Sequence, residues 1–138
     1  MFKISQNAEC VIDRLTQKGY KAYIVGGCVR DILLSKTPND FDVTTSAKPQ
    51  EIIDLFEKTI PTGIKHGTVT VIADNEPIEV TTFRTEGSYT DNRRPDSVEF
   101  VDDLKEDLAR RDFTVNAMAY NHQEGIVDYF GGKQDLEN

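Results

Sequence analysis

The sequence predicts a single α/β domain with α+β character, and three observations lead there. Apolar residues switch between helical and strand spacing through the first 58 residues, giving β-α-β-α after an opening helix. Two more strand-like runs follow, separated by a short polar turn, as in a hairpin. Finally, 138 residues with 38% apolar and 29% charged content suffice for one buried core in a soluble globular chain.

Each element has its own justification. Residues 5–18 carry Ala8, Val11, Ile12 and Leu15 as one helical stripe, and Gly19 terminates it. Residues 21–25 (KAYIV) form a strand running into Gly26-Gly27, after which Val29, Ile32 and Leu33 mark a second helix that ends before Pro38. Residues 40–44 form the next strand, and residues 49–58 a third helix opened by Pro49. Residues 68–73 (TVTVIA) and 78–84 (IEVTTFR) are strands around the turn Asp74-Asn75-Glu76-Pro77. Residues 86–96 (EGSYTDNRRPD) have almost no apolar content and predict a mobile surface loop. Helices over 104–110 and 113–120 and a short strand over 126–129 complete the domain. The closing GGKQDLEN leads toward another helix, with Asp135 near its start, and is expected to be cut short.

Composition narrows the function. No run reaches the length of a membrane span and the first residues lack a signal-peptide pattern, so a cytoplasmic address and no membrane partner are expected. Cys10 and Cys28 have no metal-site or disulfide spacing and read as structural. A net charge of -8 has the wrong sign for gripping a phosphate backbone over a wide surface. Nucleic-acid contact is therefore expected to be local, at Arg93-Arg94 or Arg110-Arg111.

The stretch PNDFDVTT sets two acids in a strand. Asp40 and Asp42 share one face while Phe41 and Val43 turn into the core. Two residues along a strand are about 6.6 Å apart, where carboxylates repel by roughly 2.5 kcal/mol at an effective dielectric near 20. Mg²⁺ would offset that repulsion, since it takes hard oxygen ligands and shares them with substrate phosphates, and a second metal would serve the attacking oxygen. Taken alone, the spacing is better explained by two solvent-facing acids.

Other residues add to the pattern. Gly26-Gly27 stand between strand and helix, where backbone can approach a phosphate closely; alone they read as a tight turn. Arg30 avoids the apolar helix face and is placed to pair with a phosphate. Glu79 faces away from Ile78 and Val80, and would join the aspartates if its strand neighbours theirs; it fits an exposed position equally well. Arg110-Arg111 at a helix C-terminus and Asp112 as a cap have a bland explanation in the macrodipole, beside a functional one as a ribose and triphosphate cluster.

Taken together, Gly26-Gly27-Cys28-Val29-Arg30-Asp31, Asp40-Phe41-Asp42 and Arg110-Arg111-Asp112-Phe113-Thr114-Val115-Asn116-Ala117 closely resemble the head domain of bacterial class II tRNA nucleotidyltransferases, the CCA-adding enzymes, relatives of bacterial poly(A) polymerases. Residues 63–69 and 84–96 resemble the same branch. The resemblance implies a polymerase-β-like nucleotidyltransferase head, a mixed β-sheet flanked by helices, over residues 1–125, with residues 126–138 beginning the connection to a neck. It implies attack of the 3′-hydroxyl of tRNA on the α-phosphate of CTP or ATP, with Asp40 and Asp42 holding Mg²⁺ in a two-metal site and Glu79 assisting. Gly26, Gly27 and Arg30 would contact the triphosphate, and Arg111, Asp112 and Asn116 the nucleotide sugar and phosphates. Residues 86–96 would serve the switch from C to A addition, and Asp128 with Gly131-Gly132 the hinge to the neck. The neck, body and tail that choose the base and hold tRNA in this family are expected to be absent, which fits the acidic charge. Alternatives are a poly(A) polymerase head, a glycosyltransferase-like D-x-D site for a nucleotide sugar, and a non-catalytic folding or oligomerising fragment whose oligomeric state the sequence leaves open.

Overall fold

The computed structural model describes residues 6–36, 41–63, 67–86, 98–109 and 117–137. Helix α1 (Gln6–Gln17) packs the predicted stripe of Ala8, Val11, Ile12 and Leu15 inward, and Gly19 ends it with φ 91°. Strand β1 (Ala22–Val25) is buried throughout and runs into α2 (Gly27–Leu33), which stops well before Pro38. Strand β2 (Asp42–Thr45) and helix α3 (Pro49–Leu55) follow as predicted, α3 ending three residues early where Phe56 turns extended.

Three strands then run side by side: β3 (Thr59–Gly63), β4 (Thr68–Ala73) and β5 (Glu76–Thr82). The β4–β5 turn is tighter than the sequence suggests. Asp74 and Asn75 both have positive φ, 50° and 66°, and Ala73 already pairs with Glu76, so the loop is a two-residue hairpin of the primed kind. Strand β3 was not anticipated: TIPTG carries Pro61 and Gly63, which are tolerated because β3 is the sheet's outermost strand.

The second half departs further. The chain leaves β5 at Phe83 instead of continuing to Arg84, and β6 (Arg84–Glu86) pairs with β7 (Val98–Phe100) in a separate ribbon. Helix α4 (Leu104–Ala109) matches expectation, but residues 119–120, predicted helical, belong to β8 (Ala119–Asn121), which pairs with β1 and with β9 (Gly125–Val127). Ala and Met favour helix locally, yet tertiary burial of Ala119 against Val25 overrides that preference. Helix α5 (Gly132–Glu137) follows the anticipated lead at Asp135.

Among the described residues, one seven-stranded mixed sheet runs β3-β4-β5-β2-β1-β8-β9, with β2–β5 its one parallel pair. The alternation of side chains divides two cores between its faces. Ile24, Val43, Val69, Val71, Ile78 and Val80 point to the first face, where α1, α2 and α3 cover them. Tyr23, Val25 and Ala119 point to the second face, where Phe83 and the α4 residues Leu104 and Leu108 cover them. Each fully buried Ile or Leu contributes on the order of 1.5–3 kcal/mol. Helix α4 covers only part of the second face, and the remainder carries the polar residues considered next.

Candidate active site

Asp42 and Glu79 are direct partners across the parallel β2–β5 seam. Their neighbours in sequence explain the direction they face: Phe41 and Val43, Ile78 and Val80 are all in the first core, which sends both carboxylates to the opposite face. Both are exposed, and with adjacent strands about 4.8 Å apart they form one carboxylate pair. On the next strand Thr70 pairs with Glu79, extending the row, and Ile60 pairs with Thr70 at its edge. Phe41, Asp42, Thr70, Pro77 and Glu79 line a pocket of about 350 Å³. A cleft of about 570 Å³ on the helix-bearing side, lined by Cys10, Arg14, Phe56 and Lys58 among others, is larger but gathers no carboxylate pair of this kind.

The glycines reach the same end of the sheet. Ile24 pairs with Val43 in antiparallel register, so the chain leaves β1 beside the start of β2, and the Asp42 backbone amide lies against the Cys28 sulfur. Gly26 has φ 81° and ψ -139°, a backbone region open essentially to glycine alone. Its amide donates to the Met118 carbonyl at 3.3 Å, fixing the turn to the strand region on the other side of β1. A Cβ on Gly27 would stand 3.3 Å from Nη2 of Arg30, so the bare backbone leaves the guanidinium its place. Arg30 Nε donates to Asp31 Oδ1 at 3.3 Å, and its side chain is 37% exposed, within reach of an anion.

The two cysteines differ. Cys28 is buried, donates to the Val25 carbonyl at 3.3 Å, and burial pushes its thiol pKa up, as fits a structural residue. Cys10 is exposed on α1, so the burial that supports a structural reading is found for Cys28 and not for Cys10.

Asp40, Arg110, Arg111, Asp112 and Asn116 lie outside the described residues, as do Arg93, Arg94 and most of the 86–96 stretch. The described residues flanking 110–116 are informative: Leu108 and Ala117 both belong to the second core, on the carboxylate face. Thr70 at the site and Asp107 behind it escaped the sequence reading. Thr70 was legible in the alternation of TVTVIA, where Thr68 and Thr70 oppose Val69 and Val71. Asp107, fully buried on α4, was not, because its helix offers no pattern that marks one acid among several.

Among the described residues no group of three or more potential metal ligands converges. The donor set still suits a hard cation: two exposed carboxylates facing a polar pocket are the number of protein ligands Mg²⁺ commonly takes, with water and phosphate completing the shell. No described helix is long and apolar enough to cross a membrane.

Residues 22–138 match the sequence profile of the poly A polymerase head domain. The CCA-adding enzyme of Lactobacillus gasseri is 55% identical over 127 residues, 92% of this chain and 32% of that protein. The crystal structure of the Bacillus stearothermophilus CCA-adding enzyme in complex with CTP superposes with a TM-score of 0.86 at 47% identity, covering 96% of this chain and 31% of the other. A tRNA nucleotidyltransferase complexed with a primer tRNA and an incoming ATP analog superposes with a TM-score of 0.67 at 34% identity, covering 92% and 36%. The chain thus spans about a third of the length of the curated relatives it matches.

Proposed function

Because the chain belongs to the poly A polymerase head domain family, we propose that it is the catalytic head of a CCA-adding enzyme, supplying the metal and triphosphate part of nucleotidyl transfer from CTP and ATP to the 3′-hydroxyl of tRNA. The observation that carries this reading is the direct pairing of Asp42 with Glu79 at an open polar pocket, in a chain about half identical to CCA-adding enzymes. A cytoplasmic location accompanies it, since tRNA is the acceptor.

In this reading Asp40 and Asp42 would hold Mg²⁺ in a two-metal site, with Glu79 assisting. When bound there, the metal would neutralise phosphate charge and lower the pKa of the attacking hydroxyl. The hydroxyl oxygen bonds to the α-phosphorus as its proton passes along its hydrogen bond toward Glu79 and on to water, the bond to the bridging β-phosphate oxygen breaks, and pyrophosphate leaves. Glu79 accepts a hydrogen bond from the attacking hydroxyl and orients it. Gly26 and Gly27 let the triphosphate approach the backbone, while Arg30 pairs with its oxygens. Arg111, Asp112 and Asn116 hold the sugar and phosphates. Residues 86–96 serve the change from C to A addition, residues 126–138 open the connection toward a neck, and base choice and tRNA grip reside elsewhere in the longer enzyme.

The test is transfer of label from α-labelled CTP or ATP, with Mg²⁺, to a tRNA lacking its terminal CCA. Slow labelling that disappears in Asp42→Ala supports the reading. Labelling from ATP alone in long homopolymers supports a poly(A) polymerase head instead, and transfer that survives Asp42→Ala or never occurs overturns it.

A further inference from the structure

We propose that Asp107 is a positioning residue of this site: it clamps the strand bearing Asp42, the root of the β6–β7 ribbon and helix α4 into one relation. The proposal rests on the reading of Asp42 and Glu79 given above, and its observations lie elsewhere. Asp107 is fully buried. Its Oδ1 accepts the Arg84 backbone amide at 2.9 Å, at the first residue of β6, and its Oδ2 lies 3.4 Å from the Thr44 hydroxyl. Thr44 stands two residues from Asp42 on the same face, and it pairs with Thr81 just as Asp42 pairs with Glu79.

A second polar row therefore lies one step below the carboxylates. The Thr44 hydroxyl is also 3.3 Å from the Thr81 carbonyl, so its single proton has two acceptors in reach, and Thr81 Oγ1 in turn meets Thr68 Oγ1 at 3.1 Å. Asp107 ends this row on the α4 side. The ribbon root is held from other directions too: Phe83 donates to the Thr45 carbonyl at 2.7 Å, and Val101 donates to the Phe83 carbonyl at 2.9 Å. A fully buried carboxylate carries a desolvation cost that an apolar side chain would not, so packing alone does not explain an acid there. What only the acid supplies is two oxygens that fix a backbone amide of one element and a hydroxyl of another. Asp107 thus acts on the strand two residues from Asp42, through Thr44, and residues behind the direct ligands commonly change metal affinity about 10- to 100-fold.

The test uses the 138-residue chain, with Mg²⁺ and CTP as probes. Asp107→Asn and Thr44→Val are expected to keep the fold by circular dichroism while weakening Mg²⁺-dependent CTP binding about 10-fold, with Thr44→Ser restoring it. Unchanged binding in folded Asp107→Asn and Thr44→Val overturns the proposal, as does an equal loss in Thr44→Ser and Thr44→Val. If Asp107→Asn does not fold, the Thr44 pair decides. If the wild-type chain binds no CTP, the functional reading fails by itself, and amide exchange then tests the clamp. Faster exchange in Asp107→Asn confined to Arg84 and residues 42–45 supports it, and unchanged exchange there overturns it.

Discussion

The guanidinium of Arg30 stands over Gly27, so close that a methyl group at residue 27 would come within 3.3 Å of Nη2. Gly27→Ala therefore sets two effects against each other. Alanine in the first turn of α2 favours the helix by about 0.5–1 kcal/mol, while a displaced guanidinium would forfeit the charge-assisted bond to phosphate proposed for Arg30. The melting temperature should hold or rise, and CTP affinity should fall by roughly 10-fold. Parallel thermal melts and CTP titrations separate the two, and a loss of stability with intact affinity would contradict the assignment of Arg30.

Gly26 behaves differently. At φ 81° and ψ -139° a side chain is strained whatever the space around it, so Gly26→Ala should cost about 1–3 kcal/mol in denaturant unfolding. The comparison with Gly27→Ala distinguishes a backbone requirement from a close approach.

Metal dependence follows from the carboxylate pair. Asp42 and Glu79 pair directly across the seam, and like charges placed so cost about 0.2–1 kcal/mol. Glu79→Gln should stabilise the metal-free protein by that order. Mg²⁺ should raise the melting temperature of the wild type and have less effect on the variant, as calorimetric scans with and without EDTA would show.

Glu51 gives a pH prediction remote from the site. It accepts the Lys48 amide at 2.8 Å at the start of α3 and the Tyr20 hydroxyl at 2.9 Å, and these bonds, the first foremost, hold its carboxyl below the ordinary 4.5. A carboxyl depressed by folding contributes stability that is fully present above the ordinary value and is lost as pH falls through the folded one. The wild type should exceed Glu51→Gln by less than about 1 kcal/mol at neutral pH, because the group is exposed, and the gap should close in acid. The same bond raises Tyr20, so phenolate absorbance should appear at lower pH in the variant.

How far the sequence discloses all this depends on the kind of constraint. The stripe of α1 and the alternation of β4 and β5 are legible because burial on one face writes itself into spacing. The same alternation fixes the face of Asp42 and Glu79, but their pairing is a matter of topology: β2 and β5 lie side by side only after α3, β3 and β4 have been traversed. Strand β3 hides behind Pro61 and Gly63, which edge position permits, and β8 hides behind alanines that suit a helix until Val25 and Val127 bury one of them. Asp107 is illegible for a similar reason, since its partners Thr44 and Arg84 lie 63 and 23 residues away.

If the Asp42–Glu79 face is a metal-dependent nucleotide site, calorimetric titration of CTP, ATP, GTP and UTP into the chain with Mg²⁺ will reveal it. The expected result is binding of all four with similar affinity, lost on adding EDTA and lost in Asp42→Ala. Binding that persists in Asp42→Ala, or that needs no divalent metal, would contradict it.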